Sequence, residues 1–192
     1  MVVLCLGFGV RTVAGPGPSV GRRINVALDA QARGDVGEAA RALDDVVQIR
    51  PEDSDMWLRA GRACVRAGQA REGTERLARA VELDPTSLTA RYDLAKALME
   101  LWLDDEAEAV LEALLERKPD HADGLYQYAA IAAARGDVDA AVDRLGRALA
   151  AGPSYPDGYR TDPRFDPVRH DARFLRLVRD ERFASAFRAE AP

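Results

Sequence analysis

Proline recurs at Pro51, Pro85, Pro119 and Pro153 of this 192-residue chain, each 34 residues after the last. Other columns keep the same spacing. Gly34, Gly68 and Gly136 share one, with Trp102 in the remaining slot. Ala39, Gly73, Ala107 and Ala141 form a second, and Leu43, Leu77, Leu111 and Leu145 follow four residues later. A further small-residue column, Ala27, Gly61, Ala95 and Ala129, lies earlier in each unit. A period of this length marks one supersecondary unit repeated along the chain, a stronger constraint on the fold than any local propensity.

Each column has a physical reading. Proline lacks an amide proton and cannot continue a helix, so it punctuates the end of each unit. Glycine ahead of it supplies the left-handed conformation that closes a first helix. The small residues belong where two antiparallel helices cross and a larger side chain would force them apart, and leucine fills the space one turn on. Asp84, Pro85, Thr86 and Ser87 are turn and cap residues before a new helix. The composition agrees: 47% of residues are hydrophobic but only 6% aromatic, as suits closely approaching helices lined with alanine, leucine and valine.

These columns resemble the tetratricopeptide repeat, whose pattern runs W-x2-L-G-x2-Y, then A-x3-F, then P. The second unit matches as Trp57, Ala60, Gly61, Cys64, Gly73, Leu77 and Pro85; the other three match the later half better. The resemblance covers about two thirds of the chain and implies an all-α fold. The expected architecture is an α-solenoid of four helix pairs (20–53, 54–87, 88–121 and 122–153) forming a right-handed superhelix, its concave groove lined by each first helix. Trp102, standing for glycine, leaves the geometry of the third inter-helix turn open.

After Pro153 the composition shifts. Residues 154–192 hold the turn-forming pairs Asp162–Pro163 and Asp166–Pro167, then Asp171 in a capping position before Phe174, Leu175, Leu177 and Val178, with Phe183 and Phe187 beyond. The run TDPRFDPVRHDARF resembles the motif that closes many bacterial arrays of this repeat, with Ala172 replacing a usual proline. The expected role is a C-terminal capping helix segment, with Phe165 and Phe174 covering the apolar face that an open solenoid leaves at its end.

At the other end, residues 1–19 begin with the apolar run Met1–Val10 and pass through Arg11 to the Gly/Pro stretch Gly15–Pro18. The run is too short to span a bilayer as a helix. It fits a leader, a clipped anchor or a misplaced start, and an anchor remnant would suit Arg11, Arg22 and Arg23 as its cytoplasmic flank. The expected location is cytoplasmic, with export or membrane association as the alternative. Cys5 and Cys64 are too few for a disulfide framework or a zinc site, and Cys64 reads as a small core residue.

The net charge of −5 argues against a general nucleic-acid binder. No phosphate loop, metal-ligand spacing or nucleophile elbow is present. The expectation is therefore no enzyme, no cofactor and no metal. His121 and His170 are read as solvated turn residues. Asp104, Asp105, Glu106, Glu108, Glu112 and Glu116 are read as a helix start followed by a solvated convex face.

What remains is the groove. The register of the repeat puts Ile24, Leu58, Tyr92 and Tyr126 in one groove-facing column, with Asn25, Gln31, Arg59, Arg62, Arg66, Asp93, Lys96 and Gln127 in neighbouring ones. Arg59, Arg62 and Arg66 make one stripe on a helix, read either as a solvated face or as a strip for an extended or helical acidic peptide. The expected site is Asn25, Arg59, Arg62, Arg66, Tyr92, Lys96, Tyr126 and Gln127, and the expected partner is a protein or an acidic peptide held with the tyrosines as anchors. The carboxylate clamp known in the family needs lysine where Ile24 and Leu58 stand, so chaperone tails are not expected.

Overall fold

The structure, a computed structural model, describes residues 19–152 and 158–179. The Met1–Val10 run, Pro153, Phe183 and Phe187 lie outside the described residues. Eight helices of similar length come first: α1 (Val20–Arg33), α2 (Val36–Ile49), α3 (Ser54–Arg66), α4 (Ala70–Leu83), α5 (Leu88–Glu100), α6 (Asp104–Arg117), α7 (Ala122–Ala134) and α8 (Val138–Ala151). The short α9 (Gly158–Thr161), a 3-10 turn at Pro163–Phe165 and α10 (Ala172–Val178) follow. No strand occurs among the described residues. The eight helices pair as antiparallel hairpins stacked into a right-handed solenoid, each second helix packing on the first helix of the next pair.

Side-chain caps mark where six of the helices begin. The side chains of Asp35, Asp53, Ser87, Asp137 and Asp171 each accept a first-turn amide proton at the start of α2, α3, α5, α8 and α10. Such a cap is worth about 1 kcal/mol over alanine. His121 does the same for α7, its Nδ1 accepting from the Gly124 amide at 3.0 Å, so it is a cap residue rather than a solvated turn histidine.

The inter-helix turns share one construction. The amides of Asp35, Gln69, Leu103 and Asp137 bond back to the carbonyls of Ala30, Cys64, Leu98 and Ala132 at 2.8 to 3.0 Å. That wrap needs a left-handed residue just before the donor. Gly34, Gly68 and Gly136 provide it at φ 77°, 77° and 74°, and Trp102 provides it at φ 61°. The third turn therefore keeps the geometry of the others, although a side chain in this conformation costs about 1–2 kcal/mol.

The small columns lie where expected. A Cβ on Gly61 would stand 2.6 Å from Leu77 Cγ, and one on Gly73 would stand 2.5 Å from Val65 Cγ2 and 3.0 Å from the Gly61 carbonyl oxygen. Only glycine lets α3 and α4 approach this closely. Leu43, Leu77, Leu111 and Leu145 are all buried between the paired helices, and Cys64 is buried with them.

One apolar core runs from Leu77 in α4 to Phe174 in α10. At its C-terminal end the rings of Tyr159, Phe165 and Phe174 are buried against one another, with centroids 6.4 Å apart for Tyr159–Phe174 and 5.8 Å for Phe165–Phe174. Helix α10 packs on α8, and the Pro163–Phe165 turn packs on α7. The segment thus covers the last helix pair as a cap.

The acidic run of α6 is not simply a solvated face. Asp104 pairs with Arg164 at 2.9 Å, Glu108 pairs with Arg135 and Arg144, and Glu112 accepts the Tyr128 hydroxyl proton at 2.7 Å. These bonds tie α6 to the following helix pair and to the C-terminal segment.

Candidate functional site: the concave groove

The first helices of successive pairs meet along one side of the stack, α3 with α5 and α5 with α7, the side that is concave in a solenoid of this kind. On α3, Arg59, Arg62 and Arg66 are all exposed, as is Lys96 on α5. Arg62 Nε donates to Asp93 Oδ2 at 2.5 Å, an ion pair that links α3 to α5. Arg62, Arg66 and Lys96, with Asp93 and Glu100, wall a hollow of about 190 Å³ floored by Leu77. Three cations therefore face two carboxylates there. The Lys96 ammonium stands 5.7 Å from the centroid of the half-buried Tyr92 ring, and the His121 ring lies against the same tyrosine, also at 5.7 Å.

The other expected residues divide. Gln127 lies beyond Lys96, half-buried, on the wall of a second hollow that also meets Trp102, Pro163 and Arg164. Asn25 is exposed on α1, and among the described residues no bond links it to the α3–α5 cluster. Tyr126 is a correction. Expected to be open to the groove, it is only 6% exposed: the Phe165 ring lies 5.6 Å away and its hydroxyl donates to Asp162 Oδ2 at 3.3 Å. The C-terminal segment occupies that part of the concave face, so the accessible groove stops short of the fourth column position.

Glu100, Trp102 and Arg164 border the groove without having been expected there. The gap in the glycine column was the available signal for Trp102. Arg164 reaches back across the fourth pair: its guanidinium binds both Asp104 carboxylate oxygens at 2.9 and 3.1 Å, donates to the Met99 carbonyl at 2.7 Å and stands 5.1 Å from the Trp102 ring. No periodic column announces that contact.

Groups suited to covalent or metal chemistry are not gathered here. Among the described residues no cluster of three or more His, Cys, Asp or Glu side chains is placed to hold a metal ion. Burial pushes the Cys64 thiol above its ordinary pKa, which disfavours the nucleophilic thiolate.

The tetratricopeptide repeat model matches residues 30–80, 65–127 and 105–160 in three overlapping stretches. The chain belongs to the tetratricopeptide repeat family. Among solved structures, the tetratricopeptide fold of this chain superposes on MamA with a TM-score of 0.69, covering 88% of each chain at 20% identity. It superposes on YrrB, described as a tetratricopeptide protein with an unusual peptide-binding site, with a TM-score of 0.64, covering 90% of this chain and 88% of that one at 15% identity. At such identities the likeness is one of fold. The peroxisomal targeting signal receptor of Komagataella phaffii is 35% identical over 86 residues, which make up 44% of this chain and 15% of the receptor. The matched stretch is thus a small part of that relative's length. No described helix is long and apolar enough to cross a membrane.

Proposed function

We propose that this tetratricopeptide protein is a non-catalytic adaptor that holds an acidic segment of a partner protein in its concave groove, on Arg59, Arg62, Arg66 and Lys96 beside Tyr92. The observation that carries this reading is the hollow between α3 and α5, where Arg62, Arg66 and Lys96 converge over an apolar floor. Exposed cations attract an acidic segment and orient it, while the neighbouring tyrosine offers area that a bound chain can bury. Asn25 and Gln127 extend the site toward its two ends. Tyr126 stays outside it while Phe165 covers it. The likeness to a targeting-signal receptor and to a peptide-binding repeat protein supports a peptide-like ligand.

The adaptor is read as cytoplasmic; the alternative, an exported or tethered envelope scaffold, rests on the Met1–Val10 run, and sequencing the mature N-terminus with cell fractionation decides between them. The groove is tested by affinity capture with the wild type and with Arg59→Ala/Arg62→Ala/Arg66→Ala as paired baits. A partner retained by the wild type and lost by the folded triple variant is the expected result. Equal retention by both baits moves the site off this groove.

A further inference from the structure

The third inter-helix turn departs from the other three at the position that glycine holds in them. Trp102 holds the left-handed conformation that glycine holds at Gly34, Gly68 and Gly136, and the residue is 77% exposed. The repeat therefore carries an unfavourable backbone conformation without gaining a buried ring in return. Strained positions of this kind gather at functional sites, and tryptophan is among the residues enriched at the centre of binding surfaces.

The surroundings of Trp102 support the same direction. Its ring borders a cleft of about 320 Å³ formed with Met99, Gln127, Pro163 and Arg164. Lys96 and Glu100, one helical turn apart on α5, line both this cleft and the cationic hollow, so the two are contiguous. Their chemistry differs. The hollow has Arg62 and Arg66 as well as Lys96. Lys96 and Glu100 are common to both, so with Arg62 held by Asp93 and Arg164 held by Asp104 the hollow differs by the cation of Arg66 and the cleft by the carboxylate of Asp162, beside the apolar faces of Trp102, Met99 and Pro163. A carboxylate is favoured at the first and disfavoured at the second.

We propose that the hollow and the cleft form one binding channel for an extended segment of an acidic protein, with its carboxylates at Arg62, Arg66 and Lys96 and an aromatic or large aliphatic side chain against Trp102. This rests on the groove reading above and adds a second subsite, the residue that makes it, and the spacing of the ligand. Neighbouring helices pack about 8–10 Å apart, and an extended chain advances about 3.3–3.6 Å per residue. The apolar residue of the ligand therefore lies about three positions from its acidic residue.

Trp102→Gly is the deciding variant, because glycine is the repeat's own residue in this turn and keeps its conformation. The probes are short fluorescein-labelled Gly/Ser peptides carrying a Glu pair and one Phe about three positions before or after it. Matched peptides have Phe replaced by Ser, or the Glu pair by a Lys pair. On the wild-type protein, one order of the Glu/Phe peptide should bind about five- to tenfold more tightly than its Phe→Ser counterpart, as expected for an aromatic contact that also buries area. On Trp102→Gly that advantage should fall below about twofold, with the melting temperature unchanged or raised by relief of the backbone.

A Phe advantage that survives in Trp102→Gly, or no Phe advantage on the wild type, overturns the Trp102 subsite. So does a lowered melting temperature in the variant, which would assign Trp102 to holding Arg164 and the C-terminal segment. A Phe advantage lost in Trp102→Gly together with equal binding of the Glu and Lys peptides overturns the acidic-segment reading of the groove instead.

Discussion

The ring of Phe165 lies 5.6 Å from that of Tyr126, so a residue of the C-terminal segment covers the groove-facing tyrosine of the fourth helix pair. Phe165 is also fully buried against Phe174. Phe165→Ala should therefore cost about 3–5 kcal/mol in a denaturant titration. Deleting residues 158–192 should expose Tyr126 and the face of α8 and promote association. A truncated protein that stays monomeric with an unchanged melting temperature would contradict the cap.

Leu111 is fully buried in the leucine column, between α6 and its partners. Leu111→Ala should cost about 2–5 kcal/mol, the loss of a buried side chain together with the cavity it leaves. A loss below about 0.5 kcal/mol in the same titration would refute the repeat register.

Glu108 gives the array an acid-sensitive joint. Burial alone would raise its carboxyl, but the hydrogen bonds and charges of Arg135 and Arg144 outweigh that and hold it below the ordinary carboxylate range. A carboxyl depressed by folding contributes fully above its unfolded pKa of about 4.3, and the contribution fades as pH falls through the lower folded value. The stability gap between wild type and Glu108→Gln should thus be level from pH about 7 down to about 5 and close below about 4. A gap that widens on acidification would reverse the sign assigned here.

How far these features were legible follows from their range. The small and leucine columns sit in local helix contacts that recur in every unit, so Gly61, Gly73, Leu77 and Leu111 could be placed from spacing alone. The turn at Trp102 keeps the form of the others, with the Leu103–Leu98 backbone bond in the place of theirs. The cover over Tyr126 was hidden, since the Tyr126–Asp162 bond and the Arg164–Asp104 pair join residues 36 and 60 apart with no repeating column between them. The acidic run misled for the same reason: its partners Arg135, Arg144 and Arg164 come from other units.

Asp93 restrains the groove cations by holding Arg62. Asp93→Asn removes that charge while keeping the shape. It should raise the association rate of an acidic partner severalfold at low salt and leave dissociation little changed. Stopped-flow binding measures both, and a slower association would contradict the electrostatic reading.

The salt dependence of partner affinity tests the groove most directly. Exposed cations act through a field that salt screens over about 10 Å at 0.1 M. The dissociation constant of the captured partner, measured from low to high salt, should rise steeply for the wild type. For Arg59→Ala/Arg62→Ala/Arg66→Ala it should start higher and rise little, while Tyr92→Ala keeps the wild-type slope and dissociates faster. Wild-type affinity and slope in the folded triple variant would place the partner on the convex face or the C-terminal segment, and the account of this groove would fail.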